Sequence, residues 1–233
     1  MRHRVPPRFA FCAALLLLAW PATAWAAEDP LEGVNRRILA FNQAVRARVL
    51  DPLAGLYVSA TTAETRRGIA NALANLGEPV TALSSLAAGE FGLAANAAAR
   101  FGINSTIGLA GLRDRAAAMG HPRRAFGVAD AVCRWGVPSG PFLVLPLLGP
   151  STLRDAGARA GLSLALSQAL GPDLYLTWSG SDAFIGYTQL RHELERIDAQ
   201  SLDAYAVYRS AYLQQRAATC PVDRARQDPA TED

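Results

Sequence analysis

The chain has no lysine, and every basic residue is arginine. Charged residues make up 18% of its 233 positions, below the ~25% of an average soluble domain, which tilts it toward apolar surroundings. There is no Cys-x-x-Cys, and past the N-terminal segment the only histidines are His121 and His192, so no metal-ligand spacing exists. His121 stands beside Pro122 and reads as a turn residue, while His192 reads as a solvated helical position. A Gly-x-Ser-x-Gly elbow and a glycine-rich phosphate loop are both absent, which removes the common signatures of acyl transfer and nucleotide chemistry. No strand alternation of useful length and no internal repeat occur, so the class expected is all-α.

What is present starts with an export signal. Arg2, Arg4 and Arg8 precede an apolar centre from Phe9 to Trp20, and Ala24-Trp25-Ala26 supplies a small-x-small site, so cleavage after Ala26 is expected. Loss of those three arginines takes the basic residues from 23 to 20 against 20 acidic ones. The formal +3 disappears, and nucleic-acid binding loses its compositional support. Cys12 follows Phe11 inside the apolar centre, so lipidation at a signal-end cysteine is not expected. An oxidising compartment permits a disulfide between Cys133 and Cys220, but two cysteines 87 positions apart leave pairing open.

The chain is organised around its least polar stretch. Gly136, Pro138, Gly140 and Pro141 lead into Phe142-Leu143-Val144-Leu145-Pro146-Leu147-Leu148, which Gly149 and Pro150 close. This is about half of the ~18 to 20 apolar residues needed to cross a bilayer. Pro146 removes a backbone donor, so a bent segment with Ser151 capping the next helix is expected. The segment suits either a buried core or a lipid-facing surface.

Around it, periodicity gives short helices interrupted by Gly and Pro. Asp29 caps a helix to about Leu50 whose apolar face carries Val34, Ile38, Phe41, Val45 and Val49, with Asn35 elsewhere. Asp51-Pro52 starts a second. Further helices are expected over 64–75, stopped by Gly77, then from Pro79 to Gly89, and over 91–106, where alanines allow close helix approach. Gly108 and Gly111 loosen the backbone, and with Pro146 they are the hinge candidates. Helices over 112–119, 128–135, 153–170, 182–197 and 202–215 follow. The polar end of the chain is expected to be a disordered tail.

Several motifs together resemble one family. Asp29-Pro30-Leu31-Glu32-Gly33, Asn35-Arg36 and Phe41-Asn42 are similar to the opening of the MlaA/VacJ family, an outer-membrane component of phospholipid trafficking. Asn75-Leu76-x-Glu78-Pro79 follows in order, then Arg100-Phe101, Asn104-Ser105-Thr106, Gly108, Gly111 and Asp114. The Gly140–Asp155 block matches its most recognisable signature, and Asp203, Tyr205, Arg209, Ala211 and Tyr212 match its last elements. The chain departs where the family commonly has acidic-Phe-Gly-Gln-Thr: Phe126-Gly127 stands two residues upstream of that place.

The resemblance implies residues 1–26 as signal peptide, 27–217 as one helical domain and 218–233 as tail. It implies a compact ring-like bundle of amphipathic helices embedded in the periplasmic leaflet of the outer membrane. Phospholipids would pass through it from the outer leaflet to a periplasmic lipid-carrier protein of the Mla system, beside outer-membrane porin trimers and with neither cofactor nor bond-making chemistry. Familiar members carry a lipobox, so this chain would attach through its own amphipathic surface. Lipid-contact candidates are Arg100, Asn104, Phe142, Leu143, Leu145 and Leu147, although Asn104 also suits a capping or packing role. The rival readings are a soluble periplasmic lipid-binding carrier and an envelope lipid hydrolase.

Overall fold

The computed structural model describes residues 29–227, and the expected signal peptide lies outside the described residues. The described residues are dominated by helix, as the missing strand alternation implies. Helix α1 (Glu32–Val45) runs through one π-helical turn, Arg46–Leu50, straight into α2 (Asp51–Ala60). The break expected at Asp51-Pro52 does not occur. Pro52 falls in the first turn of α2, where the wider π turn just before it accommodates a ring that would clash with an ordinary α-helical carbonyl. Asp29 does not itself cap α1; its carboxylate accepts from the Leu31 amide at 3.0 Å and steadies the entry turn.

Helix α3 (Ala63–Ala87) contains Pro79 in its interior, so the two helices expected around Gly77 are one. Packing along α4 (Phe91–Thr106) overrides the local breaker signals, because Asn75 and Glu78 on either side of Gly77 are buried and anchored to α4. Ala94 and Ala97 lie on the buried face of α4. The following turn is tightly packed. A Cβ on Gly108 would stand 2.5 Å from the carbonyl oxygens of Asn104 and Arg113, and one on Gly111, at φ +88°, would stand 2.8 Å from the Asn75 Cβ. These two glycines answer a steric demand, which corrects their reading as loose hinges.

After α5 (Arg115–Ala118) and α6 (Val128–Arg134), the apolar block forms the one sheet among the described residues. It is an antiparallel hairpin, β1 (Phe142–Leu145) against β2 (Gly149–Thr152), in the register Phe142↔Thr152 and Leu145↔Gly149. Pro146, Leu147 and Leu148 make the turn, with Leu147 at φ +64°. Pro146 therefore sits in a hairpin connection, where no helix exists for it to kink. Uniformly apolar β1 carries no period-2 signal, and β2, Gly-Pro-Ser-Thr, reads as a turn and helix cap, which is why the strands are not visible in the sequence. Thr152, and not Ser151, caps α7 (Leu153–Leu170), its hydroxyl accepting from the Asp155 amide at 3.4 Å.

Helix α8 (Pro172–Gln200) starts ten residues earlier than periodicity suggests, since Pro172 occupies the first turn, where no amide donor is needed. Helix α9 (Ala204–Thr219) follows, and then α10 (Pro221–Gln227), where composition suggested a disordered tail. Cys133 of α6 and Cys220, between α9 and α10, are joined as a disulfide with a Cα–Cα separation of 5.9 Å.

The apolar core is small: Leu39, Phe142, Val144, Tyr205 and Tyr208, with Ile38, Leu194, Ile197 and Tyr212 against it. Phe142 meets Tyr205 and Tyr212 edge to face at 6.0 and 6.1 Å. Outside this cluster the buried apolar side chains are mostly small, among them Ala54, Ala94, Ala97, Ala116 and Ala131, and they share the interior with many polar ones. Asn35, Asn42, Asn75, Glu78, Ser85, Arg100, Asn104, Arg154 and Asp155 are buried, whereas Val34, Phe41, Leu56, Leu83, Phe91 and Leu164 are exposed. On α1, Val34 and Phe41 of the apolar face point outward while Ile38 packs against the core, and the neighbouring Asn35 and Asn42 face in. Among the described residues, no helix is long and apolar enough to cross a membrane.

Candidate functional site

The inward asparagines of α1 explain why the hairpin sits where it does. The Asn35 side-chain amide donates to the Phe142 carbonyl at 3.1 Å, and its oxygen accepts from the Val144 amide at 2.9 Å. Asn42, two turns on, donates to the Leu145 carbonyl at 2.9 Å and accepts from the Leu147 amide at 2.7 Å. The edge of β1 that β2 does not pair is thus satisfied by two carboxamides standing in for a third strand. The turn projects Leu147 and Leu148 outward, 64% and 66% exposed, while Leu143 and Leu145 are half-buried. Of the apolar candidates, Phe142 is instead a core residue.

Arg100 and Asn104 are not available to a lipid. The Arg100 guanidinium donates to Glu78 at 2.7 Å, to the His121 carbonyl at 2.6 Å and to Asp114 at 3.1 Å. Asn104 donates to Asp114 at 3.1 Å and accepts from the Ala116 amide at 2.9 Å. Burial opposes the charge on Arg100, but the bonds to Glu78 and Asp114 outweigh it and hold its pKa above the ordinary value. Burial likewise works against the Asp114 carboxylate, yet Arg100, the Ala117 amide and Asn104 together keep its pKa low. Both are consumed in fixing α3, α4 and α5, which corrects the reading of Arg100 as a lipid contact and gives Asn104 the packing role that its sequence position also suited.

A second buried network joins α6, α7, α9 and α10. Arg154 donates to Asp155 at 2.8 Å and to both oxygens of Asp223, at 3.1 and 2.8 Å. Tyr212 donates to Asp155 at 2.6 Å, and burial together with that bond pushes its phenol up to about 12. Arg216 reaches both Asp130, at 2.7 Å, and Asp155, at 3.0 Å. Sequence reasoning assigned Asp223 to the tail and so missed its part here.

Among the described residues, hollows open between the long helices, two of them on α8. The larger, about 520 Å³, lies between α2, α3 and α8, and its lining includes Tyr57, Val58, Arg66, Arg67 and Ile185. The smaller, about 360 Å³, lies between the α1–α2 rod and α8 and carries both signs of charge: Arg46, Asp51, Arg191, Glu195 and Asp198. In the smaller one Arg46 is paired with Asp198, and the Tyr187 hydroxyl donates to Asp51, a contact that with burial raises the Tyr187 pKa. Nothing in the sequence flagged either hollow, because their residues come from helices that periodicity separates or truncates.

The described residues form a mainly helical protein with many polar side chains buried, several large apolar ones exposed, and hollows of mixed character. The profile of the family described as MlaA lipoprotein matches residues 27–219, and the chain belongs to that family. It is 33% identical over 156 residues to an uncharacterised protein of Rickettsia felis, covering 66% of this chain and 60% of that one. The match thus spans less than two thirds of the Rickettsia felis protein's length. It is 30% identical over 199 residues to the intermembrane phospholipid transport system lipoprotein MlaA of Shigella flexneri, covering 80% of this chain and 76% of that one. A solved structure described as the structural basis for maintenance of bacterial outer membrane lipid asymmetry is similar with a TM-score of 0.67 and 29% identity, covering 81% of this chain and 96% of that one.

Proposed function

We propose that the protein is a passive component of phospholipid transport between outer and inner membranes, maintaining outer-membrane lipid asymmetry. It sits half-immersed in the periplasmic leaflet of the outer membrane as a ring-like bundle, and it passes phospholipids from the outer leaflet to a periplasmic carrier protein. Outer-membrane porin trimers are its partners in the membrane. No covalent step is needed, because transfer down an affinity gradient is passive.

The observation that carries this reading is the inverted partition of side chains. A freely soluble protein gains stability by burying Val, Leu and Phe, whereas here Val34, Phe41, Leu56, Leu83 and Phe91 are exposed and a row of asparagines and ion pairs is buried. Lipid tails stabilise such an exterior by ~0.8 kcal/mol per methylene removed from water. With no helix of spanning length among the described residues, immersion in one leaflet is the geometry this surface suits. Leu147 and Leu148 on the hairpin turn, with Leu143 and Leu145 beside them, are the proposed lipid-facing edge.

The test is fractionation of the tagged mature protein, followed by extraction of bound lipid. Recovery with the outer membrane, with phospholipid bound, is the expected result. A protein found in osmotic-shock fluid with lipid bound would mean a soluble carrier instead, and release of fatty acid from phospholipid vesicles would mean a hydrolase.

A further inference from the structure

We infer that the larger hollow, between α2, α3 and α8, is a binding site for the phosphate of a glycerophospholipid, with Arg67 and the Tyr57 hydroxyl as its principal contacts and Arg66 beside them. The inference rests on the lipid-transport reading and goes further, because it places the headgroup.

The lining joins two cations to apolar surface. Arg66 and Arg67 stand at adjacent positions near the start of α3, and Val58, Ala63, Ala70 and Ile185 supply the apolar wall. No carboxylate is among the lining residues. Among the described residues neither arginine has a carboxylate partner: Arg66 spends one guanidinium nitrogen on the carbonyls of Val58, at 2.9 Å, and Thr61, and Arg67 has no partner at all. The smaller hollow makes the contrast, since its arginine at 46 is already neutralised by Asp198. With Arg66 half-buried, Arg67 exposed at the mouth and no carboxylate in the lining, the hollow carries net positive charge and favours an anion, and a planar guanidinium matches a phosphate through paired donors.

The second observation is independent of charge. The Tyr57 hydroxyl, on the same wall, is buried and has no hydrogen-bond partner, although a buried hydroxyl normally has one. Its ring is held edge to face on Phe184 at 5.9 Å, so the phenol is positioned by packing. A phosphate oxygen in the hollow would supply the missing acceptor once the side chains that cover the hydroxyl move aside. The volume, about 520 Å³, falls within the ~300–1,000 Å³ of small-molecule sites. It holds a phosphate, its glycerol and the first methylenes of two tails, which Val58 and Ile185 are there to meet.

The test uses the mature protein in a neutral detergent and three probes: dihexanoyl phosphatidylglycerol below its micelle threshold, dihexanoylglycerol without a phosphate, and inorganic phosphate. The phosphatidylglycerol should bind at least tenfold more tightly than either of the others, and more weakly as salt rises. Arg67→Gln should weaken it roughly tenfold and Tyr57→Phe about threefold, with unchanged melting temperatures. Arg66 is left intact because its carbonyl bonds also hold the α2–α3 turn. Equal binding by Arg67→Gln and the parent, or by the phosphate-free lipid, overturns the inference while leaving lipid transport standing. Inorganic phosphate binding as tightly as the lipid reduces the hollow to a plain anion site and overturns it too. Failure of the parent to bind either lipid overturns both.

Discussion

Asn35 and Asn42, seven residues apart on α1, occupy the open edge of β1 and satisfy three of its backbone groups and the Leu147 amide in the turn. A hairpin of two four-residue strands is marginal by itself, so the pairing by α1 decides whether the turn carrying Leu147 and Leu148 is presented at all. Replacing Asn35 with Leu leaves the Phe142 carbonyl and the Val144 amide buried without partners. The expected loss is about 1–3 kcal/mol of unfolding free energy, measured by denaturant titration. Asn35→Asp should cost about as much, because a carboxylate still accepts from Val144 but cannot donate to Phe142.

The Arg100 cluster predicts a second loss, larger because it strands charge. With Glu78 and Arg100 each 3% exposed, Arg100→Ala leaves a buried carboxylate uncompensated and should destabilise the fold by about 3–5 kcal/mol. Arg100→Met combined with Glu78→Gln should recover part of that, since the pair is then removed together. A double-mutant cycle in the same detergent measures the difference.

Acid should weaken the fold through carboxylates whose pKa is lowered on folding. Asp114 is held below its ordinary 3.8, and Asp203, paired with Arg36, is lowered to about 2. Each then contributes stability that is present above pH ~4 and is lost as pH falls through the folded value. Asp203 and Arg36 are exposed, so solvent screening keeps their share small. The expected outcome is that Asp114→Asn is less stable than the parent at pH 7 but loses less between pH 5 and pH 2. Thermal melts across that range test it, and parallel curves would contradict it.

The end of the chain offers a fourth test. Asp223 receives both terminal nitrogens of Arg154, and Cys220, three residues earlier, is bonded to Cys133. Reduction of that disulfide should lower stability by about 2–4 kcal/mol. Asp223→Asn should act on top of it by weakening the hold on Arg154. Limited proteolysis should then cut first near residue 220, where α10 separates from α7.

How much of this was legible follows from where the signals lie. The bounds of α4 and α7 were visible because each stands between strong punctuation, and the all-α class followed from periodicity throughout. Breakers misled wherever tertiary packing outweighed them, at Pro79 inside α3 and at Pro52 after the π turn. The orientation of α1 was not legible for a physical reason: amphipathicity locates two faces but does not say which one meets water. Asn35 and Asn42, at a seven-residue spacing beside an apolar stripe, were the available clue. Arg66, Arg67 and Tyr57 carry no such pattern, since they meet only when α2, α3 and α8 are assembled.

That ambiguity of faces supplies the last prediction. If the outer face of the α1–α2 rod lies in lipid, its large residues contribute to location and little to folding. Val34, Phe41 and Leu56 are 54%, 51% and 66% exposed, so the triple substitution to Ser removes few native contacts and should shift the melting temperature by only a few degrees. It should, however, release much of the protein from the envelope fraction, because each replacement deletes apolar area worth about 25 cal/mol per Å² of lipid contact. The matched control is Leu39→Ser, buried at 8% in the apolar cluster, which should do the reverse and unfold the protein without a specific effect on partition. Retention of the triple variant in the membrane at the parent's level would mean that this face does not meet lipid, and the exposed apolar side chains would then have to be covered by protein.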